Sequence, residues 1–218
     1  MEKKPGDVVY AGTLNQHGAL DIRVTRQAAD TMLARIMRLI EEAQIAPGFR
    51  VLDLGCGTAT LTILTKQTHP DAEIIGFDGD ENVLAIGRAK VTQQKINIRL
   101  DWGMAFQLPY PDNSFDRVLS SLVLHHLTTE DKHRALLEVF RTLKSGGELL
   151  VIDFGKSHNY LAWMISLVMR RLERTQDNIK GLLPEMFRSA GLQNVQVVTQ
   201  FMTLFGTIAL YRGTKSIA

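Results

Sequence analysis

The stretch "VLDLGCGTA", Val51 to Ala59, decides the fold of this chain. A short apolar run ends in Gly55 and Gly57, and the acid Asp53 comes just before them. Apolar runs of this length that end in glycine are typical of buried parallel strands. Glycines at a strand-to-helix turn let the backbone approach a ligand closely, although many such turns carry glycine for steric reasons alone. The turn is therefore a candidate ligand site.

Strand-like and helix-like segments alternate from Pro47 to Phe154. The strand-like segments are "RVLDLG", "AEIIGFD", "NIRLDWG" and "ELLVIDF", and "FDRVLSSLVLHHL" holds a further strand and the loop after it. The last helix between them, "EDKHRALLEVFRTLK", is amphipathic and is predicted to end at the glycines of "SGG". This alternation predicts an α/β fold with a Rossmann-like, doubly wound sheet. Two further strands joined near Gly206, with a helix inserted ahead of them, predict an antiparallel C-terminal hairpin.

The segment before Pro47 differs in character. "DVVYAGTLNQHGALDIRVTR" alternates and turns at "NQHG", which predicts a short N-terminal β-hairpin. A helix from Ala28 to Gln44 follows, and its apolar stripe must be buried somewhere. The stripe consists of Met32, Leu33, Ile36, Leu39 and Ile40. The joint near "QIAPGFR" divides the chain into a segment at 1–45 and a domain at 46–218.

Composition narrows the class of protein. The chain has 218 residues, 45% of them hydrophobic, and a formal net charge of +2, so charge does not indicate nucleic acid as a partner. One cysteine fits a reducing compartment. "MEKKPGD" is not a signal peptide, and the longest apolar run, "YLAWMISLVM", is shorter than the roughly twenty residues of a membrane span. We expect a soluble cytoplasmic protein with no integral membrane span.

The residues around the glycine turn favour one kind of ligand. Asp78 ends the second predicted strand, where a carboxylate can accept both hydroxyls of a ribose. The third glycine of a nicotinamide-binding turn is missing, because Thr60 occupies its place. A carboxylate at Asp53 disfavours a pyrophosphate and favours a positive ammonium. S-adenosylmethionine has a ribose, no phosphate and a cationic amino acid end.

Four segments resemble the successive motifs of a known family. "VLDLGCGTA", "IIGFD", "GMAFQLPYPDNSFD" and "LKSGGELLVIDF" resemble those of the seven-stranded (class I) S-adenosylmethionine-dependent methyltransferases. The group is that of the ubiquinone/menaquinone-biosynthesis enzymes and their small-molecule relatives, and the resemblance runs from about Pro47 to Lys215. It implies methyl transfer to a small acceptor, which we expect to be apolar or aromatic.

The resemblance also implies which residues hold the cofactor. The glycine turn passes under the methionine part, with Asp53 facing the ammonium directly or through water. Asp78 takes the ribose hydroxyls, Met104 and Ala105 flank the adenine, and Ser121 lies near the methionine. In chain order the set is Asp53, Gly55, Cys56, Gly57, Thr58, Asp78, Gly79, Met104, Ala105 and Ser121.

Two positions depart from the family pattern. Ala59 stands where many relatives have a further glycine, and Met104 stands where many have an acid or an amide. A thioether packs on adenine but accepts hydrogen bonds poorly. The departures imply that backbone groups and packing recognise the adenine, and they bear on the affinity for the cofactor rather than on its identity.

Three residues are candidates for catalysis. Methyl transfer from a sulfonium needs mainly alignment, and it needs a base only when the nucleophile carries a proton of high pKa. His125 and His126 follow the fourth predicted strand, and Asp153 ends the fifth, so all three are expected at the cofactor edge of the sheet. The alternative is structural: a histidine that caps a helix, or an aspartate that binds a backbone amide.

The apolar segment Tyr160–Met169 follows the fifth predicted strand. It is either a helix packed on the sheet or a lid over an apolar substrate. As a lid, Trp163, Met164, Leu167 and Met169 would contact a flat or greasy acceptor held against His125 and His126.

Residues 2–44 resemble a second family, the heavy-metal-transporting P-type ATPases, in part of their actuator domain. The T-G-E and D-K-T-G motifs of these pumps are absent, so no pump chemistry carries over. The segment is either a passenger or a part that serves the other domain, covering its active site or pairing two chains as a homodimer. Two alternatives to the enzyme stay open: a cofactor-binding protein without activity, and a metal-linked regulator. No C-x-x-C or histidine cluster supports a metal site.

Overall fold

A computed structural model describes residues 32–156, 176–203 and 206–217. The predicted N-terminal hairpin and the segment Tyr160–Met169 lie outside these residues. The elements are α1 (Met32–Glu42), β1 (Arg50–Leu54), α2 (Thr60–Thr68), β2 (Glu73–Asp78), α3 (Glu81–Gln94), β3 (Arg99–Trp102), β4 (Phe115–Ser121), a 3₁₀ turn (Leu124–His126), α4 (Thr129–Thr142), β5 (Leu143–Phe154), α5 (Gln176–Lys180), α6 (Leu183–Ser189), β6 (Gln193–Thr203) and β7 (Gly206–Thr214).

The strands form one seven-stranded sheet in the order β3-β2-β1-β4-β5-β7-β6. The first five strands are parallel, and β7 lies antiparallel between β5 and β6. This confirms the predicted Rossmann-like sheet and its antiparallel C-terminal hairpin. The chain order reverses between β1 and β4, and the carboxyl ends of strands flanking such a switch point form a ligand-binding crevice.

Helix ends follow local capping chemistry. The carboxylate of Asp80 accepts a hydrogen bond from the N–H of Asn82 and begins α3, and the hydroxyl of Thr128 accepts one from the N–H of Asp131 and begins α4. Both caps belong to loops at the carboxyl edge of the sheet. They therefore fix the loops that leave β2 and β4 toward the crevice.

Two large clusters of buried side chains cover the sheet, and a third, smaller one joins α2 and α3 to β3. One large cluster includes Phe77, Phe115 and Val139 and packs α4 and α6 onto the strands. The other includes Leu39 and Ile40 of α1, so the helix before the first strand is part of the core. None of the helices in the described ranges is long and apolar enough to cross a membrane.

Two local predictions are wrong. Helix α4 ends at Thr142 rather than at the glycines of "SGG", and Leu143 is already extended. The sheet register shifts there, because Phe115 pairs with Leu143 but Arg117 pairs with Glu148, so "SGG" forms an irregularity within β5. In α1, Met32 and Leu33 are 39% and 40% exposed, although the apolar pattern places both in the buried stripe.

Candidate functional site

A cleft of about 440 Å³ opens at the carboxyl edge of the sheet. All ten residues of the predicted cofactor set line it: Asp53, Gly55, Cys56, Gly57, Thr58, Asp78, Gly79, Met104, Ala105 and Ser121. The topology brings them together, because β1, β2 and β4 are neighbours and end at the same edge. The cleft is therefore where the sequence pattern placed the ligand.

The glycine turn is closed on one side and open on the other. At Gly55, with φ of 75°, a β-carbon would collide with the side chain of Val123. At Gly57, with φ of 52°, a β-carbon would meet no atom of the described residues within 4 Å, so it would project into open space. Both positions have the left-handed backbone that glycine tolerates. The turn thus exposes bare backbone to the cleft.

Asp78 fastens this turn to the neighbouring strand. Its Oδ2 accepts a 2.7 Å hydrogen bond from the N–H of Gly57, and its Oδ1 accepts one of 2.9 Å from the N–H of Asp80. A carboxylate has about four lone-pair sites, so two such bonds leave acceptor capacity toward the cleft. The side chain of Asp78 both shapes the site and offers oxygens to a ligand.

Asp53 is almost fully buried, yet it lines the cleft. The hydroxyl of Thr62 donates a 2.6 Å hydrogen bond to its Oδ2. The pKa of Asp53 is raised to about 7: burial raises it most, the hydrogen bond from Thr62 partly offsets this, and the nearby carboxylate of Asp78 adds to the rise. A buried carboxyl poised near neutrality is a group that a cationic ligand would ionise.

The thiol of Cys56 is held in its protonated form. Burial raises its pKa strongly, and the charges of Asp53 and Asp78 add to the rise. Cys56 therefore contributes shape to the turn rather than a nucleophile. In the described ranges, no group of His, Cys, Asp and Glu side chains has a geometry that could hold a metal ion.

Sequence reasoning missed two residues that support the turn. The ammonium of Lys90, on α3, donates hydrogen bonds of 2.8 Å and 3.2 Å to the hydroxyl and carbonyl of Thr58. The indole N–H of Trp102 donates a 3.1 Å bond to the carbonyl of Gly79. Neither contact has a signal in the local sequence, because each joins residues more than twenty positions apart.

The loop that carries Met104 and Ala105 is pinned to α4. Glu138 accepts a 2.8 Å hydrogen bond from the N–H of Leu108, and Arg141 donates to the carbonyl of Leu108 at 3.1 Å. The guanidinium of Arg141 also contacts Glu138 at 2.8 Å, and this contact lowers the pKa of Glu138. The pair holds the loop as one rim of the cleft.

The three catalytic candidates occupy two kinds of position. His126 is exposed and lines the cleft. Asp153 is fully buried; its carboxylate lies 2.9 Å from Nδ1 of His125 and accepts a 2.7 Å hydrogen bond from the N–H of Phe154. The rings of His125 and His126 lie 3.9 Å apart, centre to centre. Of the three, only His126 is among the described residues that line the cleft.

The remaining walls are largely apolar, and no motif in the sequence assigns them to the site. They include Ile36, Leu61, Phe106, Leu122, Val123 and Leu127. Leu122 has φ of 57°, a left-handed conformation that costs a non-glycine residue on the order of 1 kcal/mol or more, and its N–H donates a 2.8 Å hydrogen bond to the carbonyl of Ile152. This strained turn directs Val123 against Gly55 and carries the chain to His126.

Comparison with known proteins matches two parts of the chain to two different families. A family model described as a methyltransferase domain matches residues 51–147, and a model described as a P-type ATPase actuator domain matches residues 1–41. Demethylmenaquinone methyltransferase from Symbiobacterium thermophilum is 31% identical over 205 residues, covering 81% of this chain and 80% of that protein. The ubiquinone/menaquinone biosynthesis C-methyltransferase UbiE from Bordetella parapertussis is 32% identical over 201 residues, covering 81% of this chain and 74% of that one.

A solved structure gives the same fold. The YcgJ protein from Bacillus subtilis superposes with a TM-score of 0.69 at 19% identity, covering 85% of this chain and 100% of that chain. At this identity the similarity concerns the fold alone. The two sequence relatives, each more than 30% identical over most of both chains, show the family.

Proposed function

The chain belongs to the class I S-adenosylmethionine-dependent methyltransferases, in the group of the demethylmenaquinone and ubiquinone/menaquinone C-methyltransferases, and we propose that its acceptor is a quinone-type aromatic ring in the reduced state. Its cofactor is S-adenosylmethionine, and its reaction is methyl transfer to a small acceptor. The cleft lined by all ten residues of the predicted set supports the cofactor, and the two relatives that act on menaquinone and ubiquinone precursors support the acceptor. A reduced ring is required because quinone carbons are electrophilic, whereas hydroquinone carbons attack a methyl group.

The residues of the cleft fit this cofactor. The open space over Gly57 leaves backbone exposed where the methionine part would lie. Asp78 retains acceptor capacity for two ribose hydroxyls, and the thioether of Met104 lies beside Gly79 at the rim, where it would pack on adenine. When bound, S-adenosylmethionine supplies a methyl group already activated by a sulfonium.

Electrostatics favour a cation at this position. Asp53 and Asp78 both face the cleft, and their mutual repulsion contributes to the raised pKa of Asp53. An ammonium placed there would remove this repulsion and stabilise the ionised form of Asp53. We propose that Asp53 binds the ammonium of the methionine part, directly or through water.

His126 is the residue we assign to the acceptor. It lines the cleft on the loop after β4, next to the apolar side chains of Leu127 and Val123, which suit the face of an aromatic ring. A hydroquinone hydroxyl must lose its proton as the ring carbon attacks, and His126 would take that proton. The attacked carbon then loses its own hydrogen as a proton and the oxygen regains one, which restores the aromatic ring. His125 is held by Asp153, and its ring contacts the ring of His126. His125 would therefore position the imidazole of His126 rather than act on the acceptor.

Three predictions from the sequence stay proposals. Residues 160–169 would close over the acceptor as a lid, with Trp163 against it. The segment at 1–45 would permit a homodimer, and the enzyme would work in the cytoplasm on acceptors that reach it there. Each agrees with the proposed chemistry and is independent of the cofactor assignment.

The proposal is tested by anaerobic incubation with S-adenosylmethionine and two acceptors, 1,4-dihydroxynaphthalene and hydroquinone, with mass spectrometry of the products. We expect S-adenosylhomocysteine and a methylated ring in equal amounts. Cofactor binding by calorimetry without any product from either ring would overturn the proposal and favour a cofactor-binding protein. If the protein does not bind the cofactor but does bind added Zn²⁺ or Cu⁺, the metal-linked alternative would be favoured.

A further inference from the structure

Helix α1 lies against the half of the sheet that is farther from Asp78 and Met104. Its buried residues Ile36, Leu39 and Ile40 belong to one cluster with side chains of β1, β2, β4, β5 and β7. The helix packs on β5, and its end is hydrogen-bonded by side chains of β4 and β7. Strands β4, β5 and β7 lie on the opposite side of β1 from β2 and β3. The helix therefore approaches the cleft from the side on which the chain leaves β4 toward His126.

Two arginines of the sheet hold the end of this helix. Arg117, on β4, donates a 2.6 Å hydrogen bond to the carbonyl of Ala43, and Arg212, on β7, donates to the carbonyl and carboxylate of Glu42. Glu148, on β5, lies 3.5 Å from Arg117 and 4.0 Å from Arg212. Cations that bind the last carbonyls of a helix also interact favourably with its dipole. We call Arg117, Arg212 and Glu148 the clamp.

Ile36 reaches the cleft itself. It is 7% exposed and lines the cleft together with Leu61 and Leu122, which belong to or pack against the same hydrophobic cluster. Leu122 is the strained residue four positions before His126. The three side chains form an apolar wall, and only Ile36 comes from a segment outside the range that matches the methyltransferase family.

We infer that α1 supplies the wall of the acceptor end of the cleft and that Ile36 limits the size of the ring that fits there. This inference rests on the proposed function for the acceptor class. The match to the actuator domain covers residues 1–41 and so includes Ile36 and most of α1. A segment that resembles part of a cation pump thus determines acceptor specificity in a methyltransferase.

Ile36→Ala, Ile36→Phe and the control Ile40→Ala test the inference in the full-length chain. Ile40 lies in the same helix and cluster, is 2% exposed and is not among the residues that line the cleft. Two ratios are measured for each variant: kcat/KM for 1,4-dihydroxynaphthalene over hydroquinone, and affinity for 1-naphthol over phenol by equilibrium dialysis. The second ratio needs no turnover. Cofactor affinity is measured by calorimetry.

We expect Ile36→Phe to lower both ratios about 10-fold or more, because pocket size discriminates by this amount for small apolar differences. Ile36→Ala should raise them, and Ile40→Ala should lose stability without changing either ratio. Unchanged ratios in both Ile36 variants, or equal changes in Ile40→Ala, would overturn the inference. If the parent gives no product but the Ile36 variants still shift the ratio of 1-naphthol to phenol affinity as expected, the proposed function is refuted. The role of Ile36 in the wall of the cleft would then stand.

Discussion

The carboxylate of Asp78 and the backbone N–H of Gly57 are joined by a 2.7 Å hydrogen bond, although the residues are 21 positions apart. The bond ties the end of β2 to the turn after β1. The residue expected to hold the ribose thus also shapes the surface under the methionine part. A change at Asp78 therefore affects two parts of the cofactor site together.

Asp78→Ala should weaken the binding of S-adenosylmethionine by about 2–3 kcal/mol, or roughly 30- to 150-fold, because hydrogen bonds to a charged group are lost. Isothermal titration calorimetry measures the change. The control is Asp80→Ala, which removes the cap of α3 and should lower stability by about 1 kcal/mol while leaving cofactor affinity unchanged. Equal affinities in the parent and Asp78→Ala would remove Asp78 from the site.

The raised pKa of Asp53 predicts that stability depends on pH. The folded state retains a proton on Asp53 up to a pKa of about 7, against 3.8 for an aspartate side chain in water. Between these values the folded state binds more protons than the unfolded state, so stability falls as pH rises from about 4 to about 7 and then levels off. Relative to Asp53→Asn, the parent should lose on the order of 4 kcal/mol across this window. Urea unfolding at several pH values measures it, and parallel profiles would contradict the assigned pKa.

The same group predicts that cofactor binding releases a proton. Below pH 7 the carboxyl of Asp53 is protonated before the ammonium arrives, so affinity should fall by up to about tenfold for each unit of pH below 7. Calorimetry in two buffers of different ionisation enthalpy counts the protons. We expect close to one proton released at pH 6 in the parent and none from this site in Asp53→Asn.

We predict that exchanging the residues at positions 59 and 87, alanine for glycine and glycine for alanine, stabilises the folded protein. Ala59 has a left-handed backbone, with φ of 61°, and its methyl lies 3.2 Å from where a β-carbon of Gly87 would be. Cδ1 of Leu100 lies equally close to that position, and the carbonyl of Gly57 lies 3.4 Å from it. The double variant Ala59→Gly, Gly87→Ala moves the methyl from a strained turn to a helix interior, and it should gain about 1 kcal/mol once the flexible end of Leu100 shifts by a few tenths of an ångström. Gly87→Ala alone should crowd Ala59, so the two single effects should not add. Strict additivity in a double-mutant cycle by urea unfolding would show that the two sites do not contact.

His126→Asn should lower kcat by about 100-fold or more if the side chain takes the acceptor proton, with cofactor affinity unchanged. His133→Asn is the control, because His133 lies on α4 and is not among the residues lining the cleft. Rapid-quench measurement of the methylated ring separates the chemical step from product release. A variant with parental kcat would assign His126 to the wall of the cleft alone.

Much of this site was predictable because most of its residues directly follow the carboxyl ends of parallel strands. A glycine turn after β1 and an acid after β2 meet wherever two such strands are parallel neighbours, and the alternating sequence predicts that arrangement. Local sequence also places His126 and Met104 at the same edge. What it could not predict are contacts such as Lys90 with Thr58, since the partner of a lysine on a helix surface depends on how the helix is docked.

The two errors have different causes. The apolar stripe of α1 correctly predicts burial of Ile36 and Ile40, but Met32 and Leu33 lie beyond the part that the sheet covers. The glycines of "SGG" carry a cap signal, yet pairing of Leu143 with Phe115 extends the backbone before the cap could form. At "SGG" a tertiary contact overrides a local preference, whereas at Met32 and Leu33 the helix forms as predicted but the described residues do not cover its first turn.

The clamp has a consequence for how such a chain can arise. Arg117 contacts α1 through a main-chain oxygen, and Arg212 does so through another as well as through Glu42. Every helix ends in free carbonyls whatever its side chains are. The two arginines could therefore bind the end of a helix of unrelated ancestry, provided that its length matches and that one of its faces is apolar enough to pack on the sheet. The main-chain hydrogen bonds of the clamp place no demand on the side chains of the helix, and the sequence requirement rests on the buried face of Ile36, Leu39 and Ile40 and on Glu42. Exchange of the helix by recombination would leave the two arginines able to bind its successor.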